Sequence, residues 1–304
     1  MRSDATIHST QAQQSFSGPT ISISEDKANR MPHQRHVIFR NVGTAIAAAA
    51  TCLYAASVLA LGSIQIGVSD HPCDGVPTQP TAVHKASSDW YGNWMKEWLA
   101  ADWGQRCRYQ PENAQLPPTS TRRVVFLGDS ITEAWKELVP GFFNSDKLDR
   151  GIGGQTTEQM LVRFRADVLD LHPAVLHLMA GTNDIAGNRG PTSIAQIEAN
   201  LQSMVEQARA AHIHVVLATI PPAAAFGWST VVQVPQTIAT LNRWIEEYAR
   251  RERLTYVDYH SVLADAKGAL RAEYTEDGVH PNAAGYAAMA PLADRAIAAA
   301  LRAH

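Results

Sequence analysis

Charge is scarce in this sequence. Only 18% of its 304 residues are Asp, Glu, Lys or Arg, and the formal net charge is −3. With no basic excess to neutralise phosphates, a nucleic-acid partner is not expected. Nucleotide-binding signatures are missing as well. There is no Gly-rich loop ending in Lys-Ser or Lys-Thr, and Gly151, Gly153 and Gly154 do not complete Gly-x-Gly-x-x-Gly. No histidine pair shows the His-Glu-x-x-His spacing of a zinc site. His177, His212 and His214 therefore read as structural, and no metal or other cofactor is expected. His260 follows a strand-like run and is a candidate cleft residue. The Gly-x-Ser-x-Gly turn of the ordinary α/β-hydrolases is also absent.

One absence is local. From Asn41 to Ser69 no residue is charged, while Arg35 and Arg40 precede the run and Asp70 comes after it. Such a segment is long enough to span a bilayer, and the charge bias directs the downstream chain out of the cytoplasm. Small residues such as Ala56 and Ala60 fit a cleaved signal peptide equally. The stretch 1–36 is rich in Ser, Thr, Gln and His without hydrophobic period and reads as a disordered leader. Met31 opens a short basic stretch typical of a signal's start, so Met31 stands beside Met1 as a candidate start of translation. Cys52 sits inside the apolar run, preceded by Ala-Ala-Thr, a poor lipoprotein box. The organisation expected is leader 1–36, signal or anchor 37–69, linker and Trp-rich extension 70–118, and a C-terminal domain 119–304.

Cys73 and Cys107 are the two cysteines past the apolar run. In an oxidising compartment they either pair or stay as two free thiols, and the sequence leaves both readings open. Trp90, Trp94 and Trp98 recur every four residues and share one helical face. A sugar-binding strip is one reading. Docking of that face on the C-terminal domain is the expected one.

The chemistry begins at Val124-Val125-Phe126-Leu127, an apolar run too short for a helix, which leads straight into Gly128-Asp129-Ser130. This pattern is a buried parallel strand followed by a helix start, with Glu133 in the first turn. Open α/β sheets place their reactive groups at such strand ends. Gly151-Ile152-Gly153-Gly154 and Gly181-Thr182-Asn183-Asp184 each come after another strand-like run. Near the C-terminus, Asp277 stands three residues before His280, close enough to hold the imidazole in one tautomer. Together these residues offer a nucleophile, a base, an orienting acid, a backbone donor and an amide donor, the parts of an acyl-transfer site. Asp129 and Asp184 flank it and read as caps of a helix or turn.

In these motifs, their order and their spacing, the chain resembles the SGNH hydrolases, also called GDSL esterases and lipases. Ser130 matches the serine block, Gly154 the glycine block, Asn183 the asparagine block, and Asp277 with His280 the last block. The resemblance covers about residues 119 to 304. Ile131 stands where the second name has leucine, and Arg150 where many relatives carry an uncharged polar residue. The resemblance implies catalysis by Ser130, His280 and Asp277. It implies an oxyanion hole of the Ser130 N–H, the Gly154 N–H and the Asn183 amide.

Regular βα alternation predicts a parallel sheet covered on both faces. The expected fold is a flavodoxin-like three-layer α/β/α domain with five parallel strands, preceded by an N-terminal apolar helix. Helices are expected from Thr156 toward Leu171, over 193–211, 235–252 and 282–301, and strands over 174–179, 213–220 and 254–259. The expected activity is that of an extracytoplasmic esterase on short-chain acyl esters of small molecules or glycans, a carbohydrate O-acetylesterase being one such enzyme. A lysophospholipase or thioesterase, an acyltransferase to a sugar alcohol and a non-catalytic envelope binding protein are the alternatives. Residues 223–228 are expected to form one cleft wall, and 41–69 to anchor the protein to a membrane. Nothing in the sequence specifies an oligomeric state.

Overall fold

The computed structural model describes residues 71–78, 89–117 and 122–302. The expected leader, the apolar helix with Met31 and Cys52, and most of the linker lie outside the described residues. Among the described residues, no helix is long and apolar enough to cross a membrane.

Among the described residues, two helices come before the sheet, α1 (Trp90–Ala101) and α2 (Gln110–Ala114). The sheet segments then alternate with helices: β1 (Val124–Gly128), α3 (Ser130–Leu138), β2 (Lys147–Gly151), α4 (Thr157–Asp167), β3 (Val175–Met179), the short α5 (Thr182–Ile185) and α6 (Ile194–Ala210). After them come β4 (His214–Ala218), α7 (Val234–Glu252), β5 (Thr255–Val257), α8 (His260–Leu263) and α9 (Ala283–Arg302). All pairings are parallel and the strand order is β2-β1-β3-β4-β5. The chain therefore leaves β1 toward one edge and returns past it to β3. That reversal opens a crevice at the carboxyl ends of β1 and β3.

Strand side chains alternate between two cores. Val125, Leu127, Leu176, Leu178, Val215 and Leu217 join Met160 and Phe164 of α4, Leu201 of α6 and Leu241 of α7. Phe126, Val175, Met179 and Val216 face Trp135 of α3 and Met289 and Ala293 of α9. His177 lies in this second core, stacked on Phe126 and hydrogen-bonded through Nε2 to the Tyr259 hydroxyl at 2.8 Å. Burial lowers its pKa to about 3, so it stays neutral and is structural.

Cys73 and Cys107 form a disulfide, with their Cα atoms 5.4 Å apart. Trp94 and Trp98 are buried and stacked on one another at 4.6 Å, packed with Tyr109 and Ile152. Their helix docks by its aromatic face, as its period predicts. Trp103, beyond the helix end, stays 44% exposed.

Several elements are shorter than expected, for local reasons. The Thr156–Gln159 capping box is present, but the α-helix stops at Asp167, and a 3₁₀ turn with left-handed His172 comes next. The fourth strand ends at Ala218, since the Ile220 N–H and C=O are both taken by the Asn242 side chain. The last strand ends at Val257, because the Thr219 hydroxyl accepts the next free N–H groups, those of Tyr259 and His260. Asn282 stands just outside α9, its Oδ1 accepting the Ala284 and Gly285 N–H groups.

Candidate active site

Ser130 opens α3 directly after β1. Asp129 is the N-cap, its Oδ1 accepting the Ile131 N–H at 2.9 Å, as expected of a cap. That cap fixes the turn, and Ser130 Oγ is left 2.9 Å from His280 Nε2. On the other side of the imidazole, Nδ1 lies 2.7 Å from Asp277 Oδ2. Asp277 Oδ1 also accepts the N–H groups of Val279 at 2.9 Å and His280 at 2.8 Å. One carboxylate thus holds both the ring and the backbone of the same histidine. Burial alone would raise the Asp277 pKa, but the hydrogen bonds from His280 and Val279 outweigh it and hold it at about 2. The Thr275 hydroxyl stiffens the turn, donating to the His280 carbonyl at 2.8 Å and accepting from the Gly278 N–H at 2.9 Å.

The loop after β2 supplies the glycines. Gly154 takes φ +74°, a left-handed value that a side chain would strain, and it lines the same cavity as Ser130 and His280. Gly153 beside it is used differently. Its N–H is occupied by the Glu133 carboxylate at 2.8 Å, so it fastens the loop to α3.

Asn183 lies on α5, after β3. Its Nδ2 faces the Gln155 carbonyl at 3.1 Å and Asp129 Oδ2 at 3.3 Å, and its Oδ1 accepts Asn188 Nδ2 at 2.6 Å. The assignment is anchored from outside. The Trp228 indole, which only donates, gives its N–H to Asn188 Oδ1 at 2.9 Å, so Asn188 presents its amide N–H to Asn183. Burial raises the Asp129 pKa to about 6. Asp184 caps a helix other than its own, receiving the N–H (2.9 Å) and hydroxyl (2.6 Å) of Thr157 at the start of α4.

Behind these loops, Arg163 is fully buried. It donates to the carbonyls of Gly128 (3.2 Å) and Arg150 (2.8 Å), to Gln155 Oε1 (2.6 Å) and to Asp167 (3.0 Å). Arg150 turns away from the site and hydrogen-bonds Asn113 at 2.6 Å and 2.9 Å. The substitution relative to the family pattern therefore serves contact with the N-terminal extension. Tyr109 of that extension donates to the Gly151 carbonyl at 2.5 Å, and Gln155 Nε2 donates to the Gly104 carbonyl at 3.3 Å.

Ser130, Gly154, Asn183 and His280 all line one cavity of about 770 Å³. The expected wall 223–228 is corrected: of its residues only Trp228 reaches the lining, while Ala223 and Phe226 are buried in the core. Ser229 and Thr230 continue the wall instead. His260 is not among the lining residues. The sequence reading missed Gly92, Met95, Asn188 and Arg189. Asn188 and Arg189 come soon enough after the Asn183 motif to have been suspected; Gly92 and Met95 carry no local signal.

Residues 126–288 match the GDSL-like lipase/acylhydrolase family. A candidate acylhydrolase of known structure from Bacteroides fragilis is 46% identical, with a TM-score of 0.64, and the match covers 66% of this chain and 99% of that one. Esterase TesA of Pseudomonas aeruginosa is 26% identical over 175 residues, 53% of this chain and 81% of the relative. The uncharacterised lipoprotein YqeF of Bacillus subtilis is 42% identical over 82 residues; that stretch is 26% of this chain and spans 34% of the relative's length. A serine-bearing turn at the end of the first strand of a five-stranded parallel sheet, and the extent of these matches, lead to one conclusion: the chain belongs to the GDSL-like lipase/acylhydrolase family of serine ester hydrolases.

Proposed function

We propose that the protein is an extracytoplasmic esterase for short-chain acyl esters, with the alcohol a carbohydrate, acting through Ser130, His280 and Asp277. The observation that carries the reading is the continuous line from Asp277 through His280 to Ser130, with contacts of 2.7 Å and 2.9 Å at the cavity edge. Ser130 Oγ attacks the ester carbonyl as His280 Nε2 takes its proton, and Asp277 stabilises the imidazolium. The oxyanion is met by the N–H groups of Ser130 and Gly154 and by Asn183 Nδ2. His280 then returns the proton to the departing alcohol. Water, activated by the same imidazole, releases the acid from the acyl-serine.

The substrate class is supported by the lining. One indole, Trp228, stands beside small and polar groups from Gly92, Asn188, Ser229 and Thr230. An exposed ring edged by hydrogen-bonding groups suits a sugar better than a long acyl chain. An extracytoplasmic location is supported by the uncharged stretch 41–69, the Cys73–Cys107 disulfide and the lipoprotein relative. Anchoring through 41–69 belongs to the same reading.

Ser130→Ala should fold as the parent does and lose about a thousandfold or more in kcat on p-nitrophenyl acetate. Near-parental activity of that variant would remove the mechanism. Across p-nitrophenyl esters of rising length, kcat/KM should be highest at two to four carbons; a maximum at long chains would refute the short-acyl reading. Fractionation should find the native protein in the envelope or outside the cell.

A further inference from the structure

We infer that Glu133 is a positioning residue for the proposed reaction: its carboxylate holds the Gly153 N–H and thereby sets the neighbouring Gly154 N–H where the oxyanion forms. The inference rests on the proposed esterase reading and adds a member to its machinery. Glu133 Oε2 accepts the Gly153 N–H at 2.8 Å. It stands three residues after Ser130 on α3, one turn along the same helix. Nucleophile and glycine loop are therefore tied to one rigid element. The fit is close, since a Cβ on Gly151 would collide with the Glu133 backbone N. Glu133 lines a separate cleft of about 610 Å³ with Tyr109, Asp149 and Arg150, and is not among the described residues lining the Ser130 cavity. It acts through the loop, not on the substrate.

The loop needs such a tie. Ile152 to Gln155 form one tight turn, the Gln155 N–H donating to the Ile152 carbonyl at 3.3 Å, at the long end of hydrogen bonding. Its two central residues, Gly153 and Gly154, have no side chain to fix their dihedrals. Such a pair samples several turn types, and only some of them turn the Gly154 N–H toward the serine. The Ile152 N–H donates to the Gly128 carbonyl at 3.1 Å, which anchors the turn before its first corner. Glu133 anchors the corner itself. A carboxylate suits this, because charge-assisted hydrogen bonds are roughly twice as strong as neutral ones. Its other oxygen lies 3.8 Å from Arg108 Nη2. Without the tie, the rate scales with the fraction of molecules whose loop is in place.

The test uses the full chain and p-nitrophenyl acetate, and compares Glu133→Ala and Glu133→Gln with the parent. Glu133→Ala should lose between roughly tenfold and a hundredfold in kcat, at most the cost of removing a whole oxyanion donor, with KM within about twofold. Glu133→Gln keeps an acceptor of the same shape and should retain kcat to within roughly threefold. Phenylboronic acid forms a tetrahedral adduct on a nucleophilic serine, with an oxygen in the oxyanion position. Its Ki should rise in Glu133→Ala in step with the loss of kcat and stay near the parent's in Glu133→Gln. Parental kcat and Ki in Glu133→Ala overturn the inference. So does a lower melting temperature with kcat per folded molecule unchanged, which would make Glu133 merely structural. A Gln variant as impaired as the Ala variant overturns it in favour of the charge pair with Arg108.

A measurement on the parent alone guards against a variant that does not fold. Hydrogen exchange should find the Gly153 amide protected well beyond that of Gly154, whose N–H faces the cavity on its proposed role. A Gly153 amide that exchanges as fast as Gly154's overturns the inference. Hydrolysis that survives Ser130→Ala sinks the esterase mechanism itself. Hydrolysis that depends on Ser130 but is indifferent to Glu133→Ala sinks only the positioning role.

Discussion

On its proposed role, Asn183 is an amide made ready for charge. Both of its N–H groups already face oxygen, at 3.1 Å to Gln155 and 3.3 Å to Asp129, and both contacts are long. A neutral ester carbonyl competes poorly for such donors, whereas an oxyanion competes well. The contribution therefore appears in the transition state, and Asn183→Ala should lower kcat about a hundredfold, roughly 3 kcal/mol, with little change in KM. Asn183→Asp should do worse, because a new carboxylate would face both Asp129 and the oxyanion. An active Asp variant would dismiss Asn183 from catalysis. Asn188 acts through Asn183, so Asn188→Ala should cost roughly tenfold in kcat and leave the melting temperature close to the parent's; the reverse pattern would make Asn188 merely structural. Trp228 offers a readout for the same network. Half exposed and 6.1 Å from the His280 ring, its indole should change emission when His280→Ala removes the imidazole. An emission spectrum unchanged between the parent and His280→Ala would deny that contact.

The glycine loop is an element held from three directions. Glu133 of α3 takes the Gly153 N–H, Arg163 of α4 takes the Arg150 carbonyl and Gln155, and Tyr109 of the extension takes the Gly151 carbonyl. The third support depends on the segment closed by Cys73–Cys107. By chain entropy, a loop of that separation, 34 residues, contributes on the order of 3–4 kcal/mol. Cys107→Ser, or reduction, should lower the melting temperature by roughly 10 °C. It should also reduce esterase activity, as the wall carrying Met95 and the Tyr109 hydrogen bond loosen together. Full activity after reduction would show that the extension is a cover only. This element marks the limit of what the sequence reveals. β1, β3 and β4 are readable because a parallel sheet buries both faces and requires an unbroken apolar run. β2 is legible only as a short run ending near Arg150, since its buried Asp149 and Arg150 interrupt the apolar pattern. Ser130, Gly154, Asn183, Asp277 and His280 are readable because each sits in a motif with its own turn chemistry. Met95 and Arg189 reach the cavity through tertiary packing, which leaves no local pattern.

For the molecule as a whole, buried carboxylates set the pH response of stability. Burial raises the Asp149 pKa to about 8, far above that of an unfolded aspartate. A raised folded pKa means that the native state holds the proton more tightly than the unfolded chain. The stabilisation is complete at pH values below the unfolded pKa and is lost progressively up to about pH 8. Asp149→Asn keeps an oxygen to accept the Gly151 N–H and removes the titration. The variant should gain at least a few degrees of melting temperature over the parent as pH rises from about 5 to 8. A constant difference across that range would show that Asp149 does not titrate there. Topology has an effect of a different kind. Ser130 and His280 lie 150 residues apart, and α9 closes the sheet through Tyr286, whose hydroxyl donates to the Ile131 carbonyl at 2.7 Å. On the proposed roles, a ribosome finishes the nucleophile long before the base. A nascent chain halted anywhere short of Asp277 carries a serine that nothing activates. Hydrolysis starts only when the last helix has emerged and seated itself on α3, so a chain exported unfolded is idle until it reaches the compartment in which it folds.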